Sequence, residues 1–285
     1  MVYYVCIYLD REGIDMREIT VAAVQMSPRF KEVEENLRRM ADFVEKICLE
    51  QPVDLIVFPE LTTTGYECGL DFTELAERVY GHTINFLSQT AKEFNTHLVF
   101  GMALKEKVES IIYNSAVMIG PDGEFLGDYR KVHLRGEERL PFRAGYRFVA
   151  IETSFAQVGL LVGWDIAFPE AARSLVLDGT ELLCLCAAWE HPHNDEWRTY
   201  VLARAYENST FVVAANRVGE EYSYRFFGES MIVGPRGELY ATVDEEVEGY
   251  CVTKIDLDEV RRYREEFQFL QCRQPQSYRA IVRRY

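Results

Sequence analysis

Three residues in this 285-residue chain stand where apolar runs break off, at positions that suit acyl-transfer chemistry. In "VFPELTTTGY" a buried strand runs into Pro59 and then Glu60. A carboxylate at such a strand end is partly desolvated, which raises its pKa and suits it to general-base work. A glutamate that merely caps the next segment fits the same pattern. In "DYRKVHL" Lys131 follows a hairpin among apolar and aromatic neighbours, where a shielded ammonium stabilises an oxyanion far better than one in water. The plain alternative is a surface lysine whose stem packs on the sheet. In "GLLVGWDIAFPE" a strand ends abruptly and hands over to a helix, a junction where a tight turn lifts a nucleophile clear of the sheet. The residue at that turn is Gly163, which has no side chain.

The elements that must position these residues alternate along the chain. "ITVAAVQM" precedes a helical segment over 31–50, "DLIVFPE" precedes one over 72–95, and "HLVFGMAL" follows, an α/β layout. "NSAVMIGPDGEFLGDYRKVHL" then reads as an antiparallel hairpin on a Pro-Asp-Gly turn. Alternation resumes with "FVAIE", "VGLLVGWD", a helix over 169–178, "ELLCLCAAW", a helix over 195–208 and "FVVAAN". A second hairpin, "ESMIVGPRGELYATV", turns on Pro-Arg-Gly, so the two halves suggest a duplicated unit. No Pro-rich or Ser-rich linker interrupts the chain. Residues 1–18 are therefore read as an N-terminal extension and residues 19–285 as one domain with a C-terminal tail.

Composition narrows the function classes. A hydrophobic content of 48% supports a well-buried core. With 46 acidic against 31 basic residues the formal charge is −15, which argues against nucleic-acid and anionic-membrane partners. The 7 cysteines are odd in number and scattered, unlike a disulfide framework, and imply a reducing, cytoplasmic location. No run approaches the ~18 apolar residues of a spanning helix, and no basic leader precedes the first apolar run. No Gly-rich loop follows the first strand, which sets aside nucleotide chemistry. Cys184, Cys186, His191 and His193 are zinc-type ligands, but the cysteine pair lacks the usual spacing, so neither metal nor cofactor is expected.

Taken in order, "FPELTTTGY", "RKVHL" and "GWDIAFPE" resemble the Glu-Lys-Cys triad of the nitrilase superfamily, the carbon-nitrogen hydrolases. The likeness continues through "ITVAAVQMSP", "FPEAARSLVLDGTELL", "FFGESMIVGPRGELYA" and "RQPQSY". It implies a four-layer α-β-β-α sandwich that pairs into a homodimer and hydrolyses a small amide, carbamoyl compound or nitrile without cofactor, amidase being the default. It further implies Glu60 as general base, Lys131 as oxyanion stabiliser and Glu138, in "EERLPFRAG", as the second glutamate that helps to position substrate. Tyr66, Trp164 and Trp189 would wall the pocket. Arg135, Arg139 and Arg143 lie near Glu138 and could meet an acidic substrate tail, although arginines on a loop are more often simply solvated.

The resemblance places a cysteine where this chain has Gly163. Loss of a nucleophile from a cooperating set costs on the order of a million-fold, roughly 8 kcal/mol of barrier. Four accounts are open: a natural inactive relative that keeps its pocket, a deliberate substitution, a water that attacks beside Glu60, and a substitute thiol. Cys184 and Cys186 share one strand face and are the candidates for the last, though a buried cysteine is more often a small hydrophobe. A non-catalytic module binding a small molecule or a protein is the competing class.

Overall fold

Several strand segments have no polar face, and such strands need cover on both sides. The computed structural model, which describes residues 17–106 and 111–283, shows how the cover arises. Strands β1 (Glu18–Gln25), β2 (Leu55–Val57) and β3 (His97–Lys105) pair in parallel, and β4 (Ile112–Ile119) and β5 (Phe125–Arg130) continue the sheet antiparallel. The second sheet contains β6 (Ile151–Glu152), β7 (Gln157–Val162), β8 (Leu182–Ala187) and β9 (Phe211–Asn216), of which the last three are parallel. A short separate hairpin, β10 (Val218–Glu220) and β11 (Arg225–Phe227), leads into β12 (Met231–Val233) and β13 (Leu239–Thr242), which complete that sheet. Strand β14 (Gly249–Asp256) returns to pair antiparallel with β1. The sheets therefore have orders β14-β1-β2-β3-β4-β5 and β6-β7-β8-β9-β12-β13. Each has one antiparallel edge strand, three parallel strands and an antiparallel hairpin, so the two hairpins read in the sequence occupy equivalent places.

Strand alternation sorts the layers. Val21, Ala23, Leu55 and Val57 belong to the core shared with the second sheet, whereas Ala22, Val24 and Ile56 belong to a separate core under the helices. That outer core is closed by α1 (Val33–Glu50) and, once α2 (Phe72–Leu75) has passed, by α3 (His82–Phe94). On α1 the buried Leu37, Met40, Val44 and Ile47 form one stripe at helical spacing, each contributing ~1.5–3 kcal/mol when fully buried. Helices α4 (Pro169–Leu177) and α5 (Asn194–Asn208) pack on β7 and β9. The result is a four-layer α-β-β-α sandwich. A last helix, α6 (Asp258–Phe267), follows β14 and leads into the tail.

Two expectations need correction. The helical segment expected over 72–95 is broken. Glu77 N donates to Ala103 O at 3.1 Å and Lys105 N donates to Glu77 O at 2.6 Å, so the chain leaves the helix and bridges β3 at Glu77. Tyr80, at φ +67, then turns the chain, and the Glu77 carboxylate accepts the Thr83 N–H at 2.9 Å to open α3. The strand expected from "FVAIE" shrinks to Ile151–Glu152. Residues 1–16, most of the expected extension, lie outside the described residues, and β1 already begins at Glu18. No described helix is long and apolar enough to cross a membrane.

Candidate active site

The site forms where the C-terminal ends of β2, β5 and β7 converge. Past β2 the chain crosses to the second sheet, where Glu60 N donates to Ala187 O at 3.2 Å. Gly101 permits this crossing, because a Cβ there would stand 2.6 Å from Glu60 Cα. Lys131 follows β5 directly, and its ammonium donates to Glu60 Oε1 at 2.8 Å and to Glu138 Oε1 at 2.5 Å. Glu138 is brought in by a short turn, Gly136–Arg139, where its Oε2 accepts the Arg135 N–H at 2.9 Å. The second oxygen of Glu60 accepts the Ala188 N–H at 3.1 Å.

Side-chain exposures of 1% for Glu60, 2% for Lys131 and 6% for Glu138 make this a buried charge cluster. Burial is the main cause that lifts the Glu60 pKa to about 7, with the Lys131 charge pulling it down and Glu138 pushing it up. Burial also works against the Lys131 charge, but two carboxylates outweigh it and the ammonium is held more tightly than in water. Two carboxyls around one ammonium leave one negative charge in excess. Glu60 therefore has a proton affinity suited to base work near neutrality.

Gly163 opens the turn Gly163–Ala167 at φ +44, in the left-handed region that favours glycine. A Cβ built there would stand 2.3 Å from Glu60 Oε2 and 3.1 Å from Lys131 Nζ. The Glu60 carboxylate thus crowds the space that the first side-chain carbon of another residue would need. Asp165, fully buried in the same turn, ties it to the Lys131 strand end. It accepts the Tyr129 hydroxyl at 2.7 Å and the His133 N–H at 2.9 Å, and its Oδ1 lies 2.7 Å from His133 Nδ1.

A cavity of about 20 Å³ lies against Glu60, Lys131, Glu138 and Gly163, and Tyr66, Trp164 and Trp189 are all in its wall. That is room for about one water. Arg135 and Glu190, paired at 3.3 Å, complete the wall. Arg139 and Arg143 do not line it; the Arg139 Nε bonds Leu134 O instead. Cys184 and Cys186 are fully buried in β8 and do not line the cavity, and burial pushes both thiols above the ordinary range. The substitute-thiol account therefore loses its geometric basis. His191 and His193 lie beyond that strand and face Glu246 and Glu196, each at 3.1 Å. Among the described residues no group of three or more His, Cys, Asp and Glu could hold a metal.

Sequence reasoning passed over Asn114, whose amide donates to Glu60 Oε1 at 2.7 Å and to Glu138 Oε1 at 3.1 Å. Its signal was an asparagine in the mostly apolar strand β4, since a buried amide must find partners. Asp165 was read as part of a motif without a task.

Comparison with known proteins matches the carbon-nitrogen hydrolase family model to residues 20–265. The chain is 41% identical over 266 residues to the Schizosaccharomyces pombe protein named "Probable nitrilase C965.09", covering 92% of this chain and 98% of that one. It is 33% identical over 248 residues to a 2-oxoglutaramate amidase of Bacillus subtilis, covering 86% and 94% of the two chains. Its fold is similar to that of a carbon-nitrogen hydrolase from Helicobacter pylori G27, with a TM-score of 0.87, 28% identity and coverage of 94% and 99%.

Proposed function

The chain belongs to the carbon-nitrogen hydrolase family, and from that premise we propose that it binds a small amide-type ligand at a site whose covalent step is missing. Lys131 polarises the ligand carbonyl, and Glu60 and Glu138 accept from its amide N–H groups. In a cysteine-bearing site the thiol would give its proton to Glu60 and attack that carbonyl, and the proton would pass on to the departing ammonia. Here position 163 offers no atom to form the acyl bond, so amide hydrolysis through a thioester has no first step. The observation that carries this reading is that a Cβ at Gly163 would lie 2.3 Å from Glu60 Oε2 and 3.1 Å from Lys131 Nζ. A side chain at this position would face both the base and the cation. The cavity of about 20 Å³ has room for about one water, so a carboxamide needs more space than its wall now leaves.

Titration calorimetry of the unmodified protein against a panel of small carboxamides tests this. Binding without ammonia release, abolished by Lys131→Met, is expected; absence of binding across the panel refutes it. A second reading rests on the one-water cavity beside a carboxyl with a pKa of about 7: direct attack by that water with Glu60 as base. Ammonia release by the unmodified protein that disappears in Glu60→Gln would favour it over simple binding.

A further inference from the structure

We infer that the ligand of this site is an amide with a short tail ending in an alkylammonium group; this rests on the amide-binding reading above. A second chamber of about 100 Å³ adjoins the reactive cavity and shares Tyr66, Arg135 and Glu138 with it. Its remaining aromatic wall is Phe72, Phe142, Tyr222 and Tyr224. Aromatic faces attract cations, modestly at sites open to water such as this one, where Tyr222 is 81% exposed.

The charges agree with the rings. The two cavities together carry five carboxyl groups against two cations, Lys131 and Arg135. Lys131 is engaged by Glu60 and Glu138, and Arg135 by Glu190. Glu67 and Glu137 in the outer chamber form no ion pair among the described residues, so the unbalanced charge there is negative. Burial raises the Tyr224 pKa, and the charges of Glu190, Glu137 and Glu67 raise it further against the opposing charge of Arg135. At the reactive end, the indole N–H of Trp189, a residue 3% exposed, has no hydrogen-bond partner, which fits a donor for a ligand carbonyl.

The chamber wall is built before any ligand arrives. From the loop between β10 and β11, Glu221 accepts the Tyr66 N–H at 2.9 Å and the Glu67 N–H at 2.7 Å, and it is held by buried Arg217. The Tyr66 ring packs edge-on against Tyr224 at 5.6 Å and Phe226 at 5.8 Å, and Glu67 Oε2 accepts the Ser223 N–H at 2.8 Å. Preorganisation of this kind lowers the ordering cost of binding.

The test is calorimetry on the full chain with 5-aminopentanamide, hexanamide, 4-carboxybutanamide and butylammonium chloride. The cationic amide should bind about tenfold more tightly than the neutral one, and the anionic amide most weakly. In Glu67→Gln/Glu137→Gln, and in Glu137→Gln alone should the double variant fail to fold, the preference for the cation should shrink, and salt should weaken it in the unmodified protein. Neutral or anionic amides binding as tightly as the cationic one overturn the inference and leave the amide reading standing. Butylammonium binding with no amide bound keeps the chamber and sinks the amide reading. No binding by any of the four overturns both.

Discussion

Gly163→Cys asks the most of the geometry. At φ +44 a residue with a side chain costs ~1–2 kcal/mol more than glycine. Its Cβ would meet Glu60 Oε2 at 2.3 Å, so the carboxylate must turn away, giving up the 3.1 Å bond from Ala188 N while Oε1 keeps Lys131 and Asn114. One lost bond to a charged group adds ~1.5–3 kcal/mol. The sum, roughly 3–5 kcal/mol, should lower Tm by about 6–20 °C in a protein of this size. The sulfur would then lie beside its base and its oxyanion donor. Gly163→Ala is the control, because it imposes the same strain and the same Cβ without a thiol. Ammonia release from the cysteine variant should exceed that of the alanine variant by at least ~10³-fold, with an acyl adduct on residue 163 trapped by acid quench and mass spectrometry. A folded cysteine variant that releases no more ammonia than the alanine one refutes position 163 as the nucleophile's seat. Unchanged Tm in both variants refutes the crowding argument.

Further outcomes follow from the same cluster. Lys131→Met leaves two buried carboxyls without their ammonium and should cost about 3–5 kcal/mol in urea unfolding at pH 7; a loss under ~1 kcal/mol would contradict the buried-cluster reading. Burial holds the Glu60 carboxyl at about 7 against 4.5 for the ordinary group, so the folded state binds this proton more tightly than the unfolded chain. Its stabilising contribution is therefore full below pH ~4.5 and lost as pH rises through ~7, amounting to about 3 kcal/mol. Glu60→Gln should flatten that part of the stability profile between pH 5 and pH 8, and identical slopes in the two proteins would speak against it. In native alkylation with iodoacetamide, exposed Cys272 should react while Cys184 and Cys186 stay unlabelled until the chain unfolds; early labelling in β8, mapped by peptide mass spectrometry, would reopen the substitute-thiol account.

Much of this molecule was readable along the chain, because burial repeats with the local period. The stripe Leu37, Met40, Val44 and Ile47 marks α1, the all-apolar Leu55–Val57 marks a strand covered on both faces, and the Pro-Asp-Gly and Pro-Arg-Gly turns mark equivalent hairpins. Glu60 and the turn at Gly163 stood out because each ends a buried run, and Lys131 because it follows a strand end among apolar and aromatic neighbours. Local pattern could not weigh Glu60 as a base against Glu60 as a cap, nor see that the chain leaves the helix to bridge β3 at Glu77. Tertiary structure alone decided that Asn114 and Lys131 bridge the Glu60 and Glu138 carboxyls, that the two β8 thiols sit in the core, and that Glu60 Oε2 crowds the space a Cβ at Gly163 would need. The reason is physical. Periodicity reports which face of an element is apolar, whereas charge, proton affinity and reactivity depend on distances of a few ångströms between residues far apart in the chain, and folding is what sets those distances.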